Sequence, residues 1–487
     1  MRHARYNRRH FLKGMGLGAA SVVLPAFADT SRSAIRGRRP NVLFLFTDDQ
    51  RFDTLNALDN PEIMTPNMDR LVRNGTVFTH AHIMGGTSAA VCAPSRAMLL
   101  TGRTLFHIPP SFAVPWEVKG PERGACPYPT FPEVFRQAGY ATFATGKWHN
   151  DPPVFARGFT HGGKIFFGGM SDHLKVPVND FDPEGKYPKN RTYVDKTFSS
   201  ELFSNAAVEF LEGLDGHTPF LMYVSYTSPH DPRMAPKEFV DLYPPEKISL
   251  PANFLPEHPF DNGELRVRDE QLAPWPRTPE IVRREMAGYY AMITHLDAHI
   301  GRVLHALEQA GHADDTIIVF AGDNGLAVGQ HGLLGKQNLY EHSVRVPLVF
   351  CGPGIPKGER RDALCYLLDV FPSLCELAGF ATPESVEGKS LAPVIRGETT
   401  QVRDSLFAAY RHFQRMVRKD DWKLIRYNVK GVDTTQLFNL RDDPWETTNL
   451  AEDPAHAQRV EALTALLRKW MAETDDPCDL DKPGWRR

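Results

Sequence analysis

Short apolar segments recur along the chain, and most of them end at a cluster of polar residues. Five segments have the length and composition of strands: 41–46, 140–145, 220–226, 316–320 and 346–350. A strand that is buried on both faces reads as a continuous apolar run, and such runs are typical of parallel sheets covered by helices. The pattern therefore predicts a large central sheet, mostly parallel or mixed, within an α/β fold.

Apolar residues spaced by three and four positions predict helices between these strands. The longest such pattern comprises Met286, Tyr289, Ile293, Leu296, Ile300, Val303 and Leu307. Shorter helices are predicted over 66–74, 130–138, 196–214 and 367–377, with a further strand over 76–82. Helices that alternate with buried strands are expected to flank the central sheet.

The character of the chain changes near residue 405. Strand-like segments at 416–418, 422–427 and 436–440 are separated by polar turns, which favours antiparallel pairing. A helix is predicted over 455–473. We therefore expect a large α/β domain over 38–400, followed by a smaller α+β subdomain over 401–487 that is built on an antiparallel sheet with a terminal helix.

Three long segments lack any apolar periodicity. They cover 104–129, 151–195 and 243–280, and they are rich in proline or glycine. Such composition predicts irregular excursions over the surface of the large domain. If the chain binds a ligand, residues that determine its selectivity are expected in these segments.

The charge of the chain is mildly acidic overall. Its 487 residues carry a formal net charge of −3. The first 28 residues contain five basic residues and no acidic one, which leaves 51 Lys and Arg against 59 Asp and Glu in the remainder. An acidic surface argues against nucleic acid as a partner. An anionic substrate must therefore be attracted by a local pocket.

The basic N-terminus has the order of parts of an export signal. Arg8 and Arg9 precede a weakly apolar run that ends at Ala26-Phe27-Ala28. This order predicts a twin-arginine signal peptide over 1–28, cleaved near Ala28. Its apolar core is too short to span a bilayer, and no later stretch reaches that length. We expect a bacterial protein exported in its folded state, periplasmic or secreted, with no stable membrane span.

Two predicted strand ends carry adjacent oxygen ligands. Asp48 and Asp49 follow the first strand, and Asp323 and Asn324 follow the strand at 316–320. Open α/β sheets place their sites at the carboxyl ends of parallel strands. Neighbouring carboxylates repel each other unless a cation lies between them. An all-oxygen set predicts a hard metal, with Ca²⁺ favoured, Mg²⁺ or Mn²⁺ as alternatives and Zn²⁺ disfavoured.

Cys92 lies at a predicted helix start. Pro94 and Ser95 suit a first helical turn, and Arg96 follows one turn after the cysteine. At this end of the helix dipole, Cys92 would face unpaired backbone N–H groups, a setting that suits an anion or an activated nucleophile. Taken alone, the pattern also fits a structural cysteine.

Basic side chains follow other strand ends. Lys147 and His149 come after the second predicted strand, and strand alternation would place both on one face. His230 lies in a proline-flanked turn and is a candidate proton donor, and Lys336 follows a glycine-rich loop. Three further residues are candidates for binding substrate: His331, Arg411 and His412.

The stretch Cys92-Ala93-Pro94-Ser95-Arg96, with Leu100-Thr101-Gly102-Arg103 after it, resembles the signature of type I sulfatases. These are the formylglycine-dependent, arylsulfatase-like enzymes of the alkaline phosphatase superfamily. Gly146-Lys147-Trp148-His149, the turn at His230 and both oxygen pairs also match, and the resemblance covers nearly all of the chain after the signal. It implies a sulfuric ester hydrolase whose Cys92 is oxidised to formylglycine (3-oxoalanine). A formylglycine-generating enzyme or an anaerobic sulfatase-maturing enzyme would be the partner in that step.

The resemblance also implies a role for each residue. One Ca²⁺ per chain would be bound by Asp48, Asp49, Cys92, Asp323 and Asn324. The formylglycine hydrate would attack sulfur and then collapse to the aldehyde, expelling sulfate, while Arg96 holds it and Asp323 assists its deprotonation. Lys147 and Lys336 would contact the sulfate group. His149 would remove the second proton, and His230 with Lys336 would protonate the leaving alcohol. One departure is Asn150, which stands where an apolar residue is commoner.

The predicted function is therefore hydrolysis of sulfate esters, with a sulfated carbohydrate as the expected substrate. Two alternatives remain at this point. One is a phosphate or phosphonate ester hydrolase of the same superfamily. The other is a non-catalytic protein that binds sulfated glycans and retains an intact Cys92.

The six cysteines form no C-x-x-C pair and suggest no zinc site. If Cys92 is chemically consumed, five cysteines remain, so a complete disulfide framework is impossible. One or two disulfide bridges remain possible.

Overall fold

The structure is a computed structural model, and it describes residues 39–119 and 126–485. The predicted signal peptide over 1–28 lies outside these residues. Within the described ranges, no helix combines the length and the apolar character needed to cross a membrane.

An eight-stranded sheet lies at the centre of the described chain. The strands of the protein are, in chain order, β1 (Asn41–Thr47), β2 (Gly75–Phe78), β3 (Ala81–His82), β4 (Gly85–Gly86), β5 (Ala141–Lys147), β6 (His161–Phe166), β7 (Pro177–Val178), β8 (Tyr193–Val194), β9 (Phe220–Ser225), β10 (Thr316–Gly322), β11 (Leu348–Cys351), β12 (Glu359–Arg361), β13 (Cys365–Tyr366), β14 (Ser405–Tyr410), β15 (Gln414–Lys419), β16 (Trp422–Val429) and β17 (Val432–Asn439). The central sheet has the order β12-β2-β11-β10-β1-β9-β5-β6. Only β11 runs antiparallel to its neighbours in this sheet. The predicted mixed, mostly parallel α/β fold is confirmed.

Helices cover both faces of the central sheet, and the last of them packs instead on the smaller sheet, against β15 and β16. They are α1 (Pro66–Asn74), α2 (Cys92–Thr101), α3 (Pro110–Ala113), α4 (Phe131–Gln137), α5 (Pro152–Gly158), α6 (Ser199–Glu212), α7 (Lys237–Val240), α8 (Pro279–Gln309), α9 (Glu341–Val344), α10 (Val370–Leu377), α11 (Ala392–Ile395) and α12 (Ala457–Glu473). Alternate side chains of β1 point to opposite layers, with Phe44 in the core that contains α2, α4 and α10. Leu43 and Leu45 lie in the core that contains α1, α6 and α8.

A second sheet joins the end of the chain to the loop before α2. Strands β14 to β17 are antiparallel in sequence order, and β4 pairs in parallel with the outer edge of β14. In this pairing Gly85 lies opposite Ala409 and Gly86 opposite Tyr410. The sequence pattern missed β14. The smaller sheet is thus completed by a segment of the larger unit.

Two of the predicted excursions contribute to the fold. The segment 151–195 contains α5 and β6, and β6 extends the central sheet beside β5. Because β6 is an edge strand whose first residues are only partly buried, it lacks the apolar signature of an inner strand. Phe112, in the segment predicted as a surface insertion, is fully buried. The predicted strand over 76–82 is broken into β2 and β3.

Cysteine side chains lie in the interior of the described chain. Cys92, Cys126, Cys351, Cys365 and Cys375 are buried and form no disulfide bond. Burial raises the pKa of the Cys351 and Cys375 thiols to about 12, so both stay protonated at neutral pH. Cys351 and Cys375 therefore pack as small apolar side chains.

Candidate active site

Four neighbouring strands bring the candidate residues to one edge of the central sheet. Strands β10, β1, β9 and β5 lie side by side and in parallel, so their carboxyl ends meet there. The segments that follow these strands are also joined by backbone hydrogen bonds. Asp323 N–H donates to Thr47 O (3.0 Å), and Asp48 N–H donates to Ser228 O (3.1 Å). The polar residues after each strand therefore form one cluster.

The oxygen ligands predicted from the sequence are adjacent and buried. Asp49 N–H donates to Asp323 Oδ1 (2.9 Å), and Asn324 Nδ2 donates to Asp49 Oδ1 (2.8 Å). Asp48 Oδ1 and Asn324 Oδ1 are buried and have no hydrogen-bond partner in the structure. A buried oxygen without a partner is costly, and two of them in an all-oxygen set fit a hard cation.

One cluster of titratable side chains overlaps the predicted ligand set and adds His230 to it. Ligand atoms of Asp48, Asp49, Cys92 and His230 all lie within 4.8 Å of one another. Asp323 Oδ1 accepts from the Asp49 backbone, and its Oδ2 accepts from Arg96 Nε at 2.9 Å. His230 thus lies beside the proposed metal ligands, although the sequence analysis had assigned this residue only to proton transfer.

Two lysines lie on either side of the Cys92 sulfur. Lys147 Nζ is 3.5 Å from Cys92 Sγ and donates to Asp48 Oδ2 at 2.6 Å. Lys336 Nζ is also 3.5 Å from Cys92 Sγ and donates to Asp49 Oδ1 at 2.6 Å. All of these side chains are buried. Two buried ammonium groups next to one side chain make a site for an anionic group.

Cys92 begins α2, as the sequence predicted, but its thiol is not activated. Burial raises the pKa of the Cys92 thiol to about 11, although Lys147 and Lys336 act in the opposite direction. The expectation of a low-pKa thiol at a helix start does not fit this environment, because desolvation outweighs the nearby positive charges. An unmodified Cys92 would remain a neutral thiol.

Arg96 connects the helix and the strand ends that form the site. Its Nε and Nη2 atoms both lie 2.9 Å from Asp323 Oδ2, and Nη1 donates to Ser225 Oγ (2.6 Å) and to Lys147 O (3.1 Å). The guanidinium also lies over the ring of Phe46. This fully buried arginine therefore connects α2 to the ends of β1, β5, β9 and β10.

The two neighbouring aspartates have opposite pKa shifts. Burial raises the pKa of Asp48 to about 6, and Lys147 only partly offsets it. Burial acts in the same direction on Asp49, but His230 and Lys336 outweigh it and lower the pKa of Asp49 to about 2. The backbone of Asp49 is left-handed, with φ of 62°, and Tyr289 Oη of α8 donates to its carbonyl at 2.5 Å.

His149 reaches the cluster by a route that the alternation argument did not foresee. β5 ends at Lys147, and His149 has a left-handed φ of 62°, so the two residues do not share a strand face. The imidazole stacks on Trp116 with 5.0 Å between ring centroids, and its Nδ1 is buried without a partner. A Cβ at Gly169 would lie 2.6 Å from His149 Nε2, so the ring is held tightly. Burial, together with Lys147 and Arg96, lowers the pKa of His149 well below its usual value.

His230 is oriented by the residue that follows it. Its Nδ1 donates to the carbonyl oxygen of Asp231 (3.0 Å) and lies 3.2 Å from the Asp231 carboxylate, while its Nε2 lies 3.6 Å from Asp49 Oδ2. Burial lowers the pKa of His230, but the carboxylates around it outweigh this effect and raise it overall. His230 therefore holds its proton more strongly than an ordinary histidine does, and its Nε2 faces the cluster.

The three predicted substrate-binding residues lie in different settings. His331 is buried, with its Nε2 2.9 Å from Asn253 Nδ2 and its ring stacked on Tyr340, so its observed contacts are structural. Arg411 N–H donates to Gly86 O (2.9 Å), and Arg411 Nη1 donates to Glu264 Oε1 (2.6 Å). Its side chain keeps 40% of its exposure. His412 packs its ring against Phe413.

Two residues near the site were missed or left open by the sequence. Trp116 lies on a segment without any periodicity, and no local pattern marks it as a neighbour of His149. Asn150, the departure noted above, donates from Nδ2 to Ala93 O (3.2 Å) and Phe112 O (3.1 Å). It thereby ties α3 to the residue next to Cys92.

Comparison with known proteins identifies relatives that span most of the chain. The family model described as Sulfatase matches residues 40–380, and a model described as N-sulphoglucosamine sulphohydrolase, C-terminal, matches residues 329–473. An N-acetylglucosamine-6-O-sulfatase of Bacteroides thetaiotaomicron is 26% identical, with 90% of this chain and 87% of that protein covered.

Solved structures show the same fold. The structure of BT4656 in complex with its substrate D-glucosamine-2-N,6-O-disulfate has a TM-score of 0.75 at 24% identity, covering 92% of this chain and 100% of that one. The phosphonate monoester hydrolase of Agrobacterium radiobacter has a TM-score of 0.71 at 23% identity, with the same coverage of 92% and 100%. One architecture thus serves proteins named for different esters.

Proposed function

The chain belongs to the sulfatase family and is a sulfuric ester hydrolase, and from this premise we propose that it removes sulfate from a sulfated saccharide. The proposed reaction uses formylglycine at position 92 and one divalent cation, Ca²⁺. The observation that carries it is the pair of lysine Nζ atoms, each 3.5 Å from Cys92 Sγ. A sulfate ester is an anion, and preorganised positive groups stabilise the charge that develops as its bond breaks.

The state of Cys92 supports its conversion. A buried thiol whose pKa is raised to about 11 is a poor nucleophile at neutral pH. Formylglycine at this position would supply, as its hydrate, one hydroxyl to attack sulfur and a second whose deprotonation drives release of sulfate. Arg96, through Asp323 and the β5 end, would keep the first turn of α2 in place during these steps.

The oxygen donors support a hard cation. Asp48, Asp49, Asp323 and Asn324 would hold it, and Asp48 Oδ1 and Asn324 Oδ1 are the oxygens that now lack partners. When bound, the ion would act as a Lewis acid that withdraws charge from the ester oxygens. Carbonyl and carboxylate oxygens favour Ca²⁺ over softer metals.

Two histidines suit opposite proton transfers. The lowered pKa of His149 favours its neutral form, and its unpartnered Nδ1 is free to accept a proton. His230 has a raised pKa, and its Nε2 faces the same Asp49 carboxylate as Lys336 Nζ. His230 and Lys336 are therefore our candidates for protonating the leaving alcohol.

The surroundings of His149 and Arg411 support a sugar as the leaving group. Trp116 is 43% exposed and offers an indole surface beside His149. Arg411 and Glu264 form a hydrogen-bonding pair tied to Gly86, six residues before Cys92. An apolar face with a few placed polar groups is typical of sites that bind small ligands. The relative from Bacteroides thetaiotaomicron is named for a sulfated amino sugar.

The place of action and the maturation partner also belong to this proposal. The sequence over 1–28 supports export by the twin-arginine route to the periplasm or the medium. A formylglycine-generating enzyme or an anaerobic sulfatase-maturing enzyme would convert Cys92 beforehand. Fusion of residues 1–28 to a reporter that requires folded export, with Arg8 and Arg9 replaced by lysine as the control, tests the route.

The function is tested with protein produced together with a maturing enzyme. We expect peptide mass spectrometry to find formylglycine at position 92, and sulfate release from a defined monosulfated glucosamine to exceed turnover of a phosphonate monoester. Preference for the phosphonate would favour the second candidate function, which the likeness to the phosphonate monoester hydrolase supports. Saccharide binding without turnover and an intact thiol would favour a glycan-binding protein.

A further inference from the structure

Three consecutive side chains contact the loops that carry the candidate proton donors. Arg268, Asp269 and Glu270 begin a 3₁₀ turn, Arg268–Leu272, within the proline-rich segment 243–280 that the sequence predicted to be an irregular excursion. Each of them binds a different partner in the loops around His230 and Lys336. We refer to these three residues as the clamp.

Arg268 binds the His230 loop. Its Nη2 donates to Asp231 Oδ2, and Asp231 is the residue whose carboxylate and carbonyl oxygens face His230 Nδ1. The backbone of His230 is held separately, because His173 Nε2 donates to its carbonyl at 2.9 Å. The orientation of the imidazole therefore depends on where Arg268 holds Asp231.

Asp269 binds the residue after Lys336. Gln337 Nε2 donates to Asp269 Oδ2 (2.7 Å) and to Ala89 O (2.9 Å), while Gln337 Oε1 accepts from Lys336 N–H (3.0 Å). Arg268 Nη1 donates to Asp269 Oδ1 at 2.8 Å, so the first two residues of the clamp are joined.

Glu270 binds the residues before Lys336. Its buried carboxylate accepts from Leu334 N–H (2.9 Å) and Gly335 N–H (2.7 Å), and Arg277 Nη2 donates to Oε2 at 2.9 Å. The fit is close at Gly335, where a Cβ would lie 2.4 Å from Gln337 Oε1 and 3.0 Å from Glu270 Oε1. Lys336 is thus fixed from both sides along the chain.

The two loops meet at one carboxylate. Lys336 Nζ lies 2.6 Å from Asp49 Oδ1, and His230 Nε2 lies 3.6 Å from Asp49 Oδ2. We propose that Arg268, Asp269 and Glu270 are positioning residues that hold His230 and Lys336 in register for protonating the leaving alcohol. The inference rests on the proposed function, and it adds residues from a segment with no recognisable motif.

The test compares substrates that differ in their need for a proton. A sugar alcohol is a poor leaving group and requires protonation, whereas 4-nitrophenolate leaves without it. For Arg268→Ala we expect kcat for a glucosamine 6-sulfate to fall by about 10- to 100-fold, since small misplacements of reacting groups have effects of this size. KM and turnover of 4-nitrophenyl sulfate should change by less than about threefold, because charge stabilisation around position 92 is left intact.

Matched variants separate positioning from folding. Arg268 is 45% exposed, so its loss should be tolerated, and Arg268→Lys should restore part of the activity toward the sugar sulfate. Asp269→Asn and Glu270→Gln should also lower turnover of 4-nitrophenyl sulfate, because Lys336 lies beside position 92, but the loss on the sugar sulfate should be the larger one. Arg266→Ala is the control, since its guanidinium lies over Trp275 in the same segment. Unfolding temperatures and the formylglycine content of each variant would be measured alongside.

The outcomes distinguish the clamp from the function beneath it. Equal losses on both substrates, or no loss on either, in folded and converted variants would overturn the clamp while the sulfatase reaction stands. A converted wild-type protein that hydrolyses neither sulfate ester would overturn the proposed function, and the clamp with it.

Discussion

The candidate site has two sides that are built in different ways. The floor is formed where strands end and α2 begins, by Asp48, Asp49, Cys92, Arg96, Lys147, Asp323 and Asn324. The rim is formed by irregular segments that carry Trp116, His230, Arg268, Lys336 and Arg411. Charges of the floor are buried and paired with one another, whereas Trp116, Arg268 and Arg411 remain partly exposed. From this comparison we propose that the floor, together with Lys336, acts on the sulfate group, and that the partly exposed residues of the rim select the leaving group.

The strongest test of the floor is removal of the nucleophile. We expect Cys92→Ala to lower kcat by about 10⁴-fold or more on every sulfate ester, as loss of a catalytic nucleophile does. Cys126→Ala, at a buried cysteine outside the cluster, is the matched control and should retain activity. Sulfate release measured by ion chromatography checks both. Substantial turnover by the alanine variant would remove position 92 from the mechanism.

Removal of the cation is expected to have the next largest effect. Dialysis against a calcium chelator should lower kcat by about 10²- to 10³-fold, comparable to the loss of one preorganised electrostatic group, and Ca²⁺ should restore it. At 100 times its Kd, Ca²⁺ should also add about 2.7 kcal/mol to the free energy of unfolding. Asp48→Asn should abolish that stabilisation. A chelated enzyme that keeps its activity and unfolding temperature would exclude the ion.

A milder effect is expected at the rim. Trp116→Ala should raise KM for a sulfated saccharide by about fivefold, since an aromatic contact contributes about 1 kcal/mol. KM for 4-nitrophenyl sulfate should rise less, and Trp116→Phe should restore most of the loss for the saccharide. Steady-state kinetics on the two substrates measure this difference. Equal effects on both would place the indole with the floor.

The smallest effect is expected at His331. Its ring stacks on Tyr340 at 3.9 Å and its Nε2 contacts Asn253, so we expect His331→Phe to leave KM within about twofold of wild type. Loss of a buried hydrogen bond should instead lower the free energy of unfolding by about 1 kcal/mol. Denaturant unfolding and kinetics report on the two quantities separately. A large rise in KM would return His331 to the substrate-binding residues.

The floor was the part that the sequence could predict. Apolar runs that end in Asp48-Asp49 and Asp323-Asn324 mark strand ends, and parallel strands must bring those ends together. The proposed roles of Cys92 and Lys147 came from the resemblance, because the position of neither residue in the sequence pattern indicates its role. The alternation argument for His149 was wrong, since β5 ends at Lys147 and a left-handed backbone at His149 sets the direction of its side chain.

Only part of the rim was within reach of the sequence, which singled out His230, Lys336 and Arg411 but not Trp116 or Arg268. The clamp joins Glu270 to Gly335 across 65 residues, and no periodicity links the two positions. Trp116 and Asn150 meet their partners through tertiary packing of a segment that has no pattern of its own. β6 was missed for a related reason, because an edge strand exposes part of its surface and needs no continuous apolar run.

The pairing of β4 with β14 has a consequence in time. Gly85 and Gly86, just before Cys92, complete a sheet whose other strands begin at Ser405, so this part of the fold cannot form until roughly 300 further residues have been synthesised, which takes about 15–60 s at about 5–20 residues per second. Cys92 is only 1% exposed once the fold is complete, so a maturing enzyme would have to act before then. The proposed conversion would therefore have to occur before strands β14 to β17 have folded. The time until these strands form would set how long a maturing enzyme can reach Cys92.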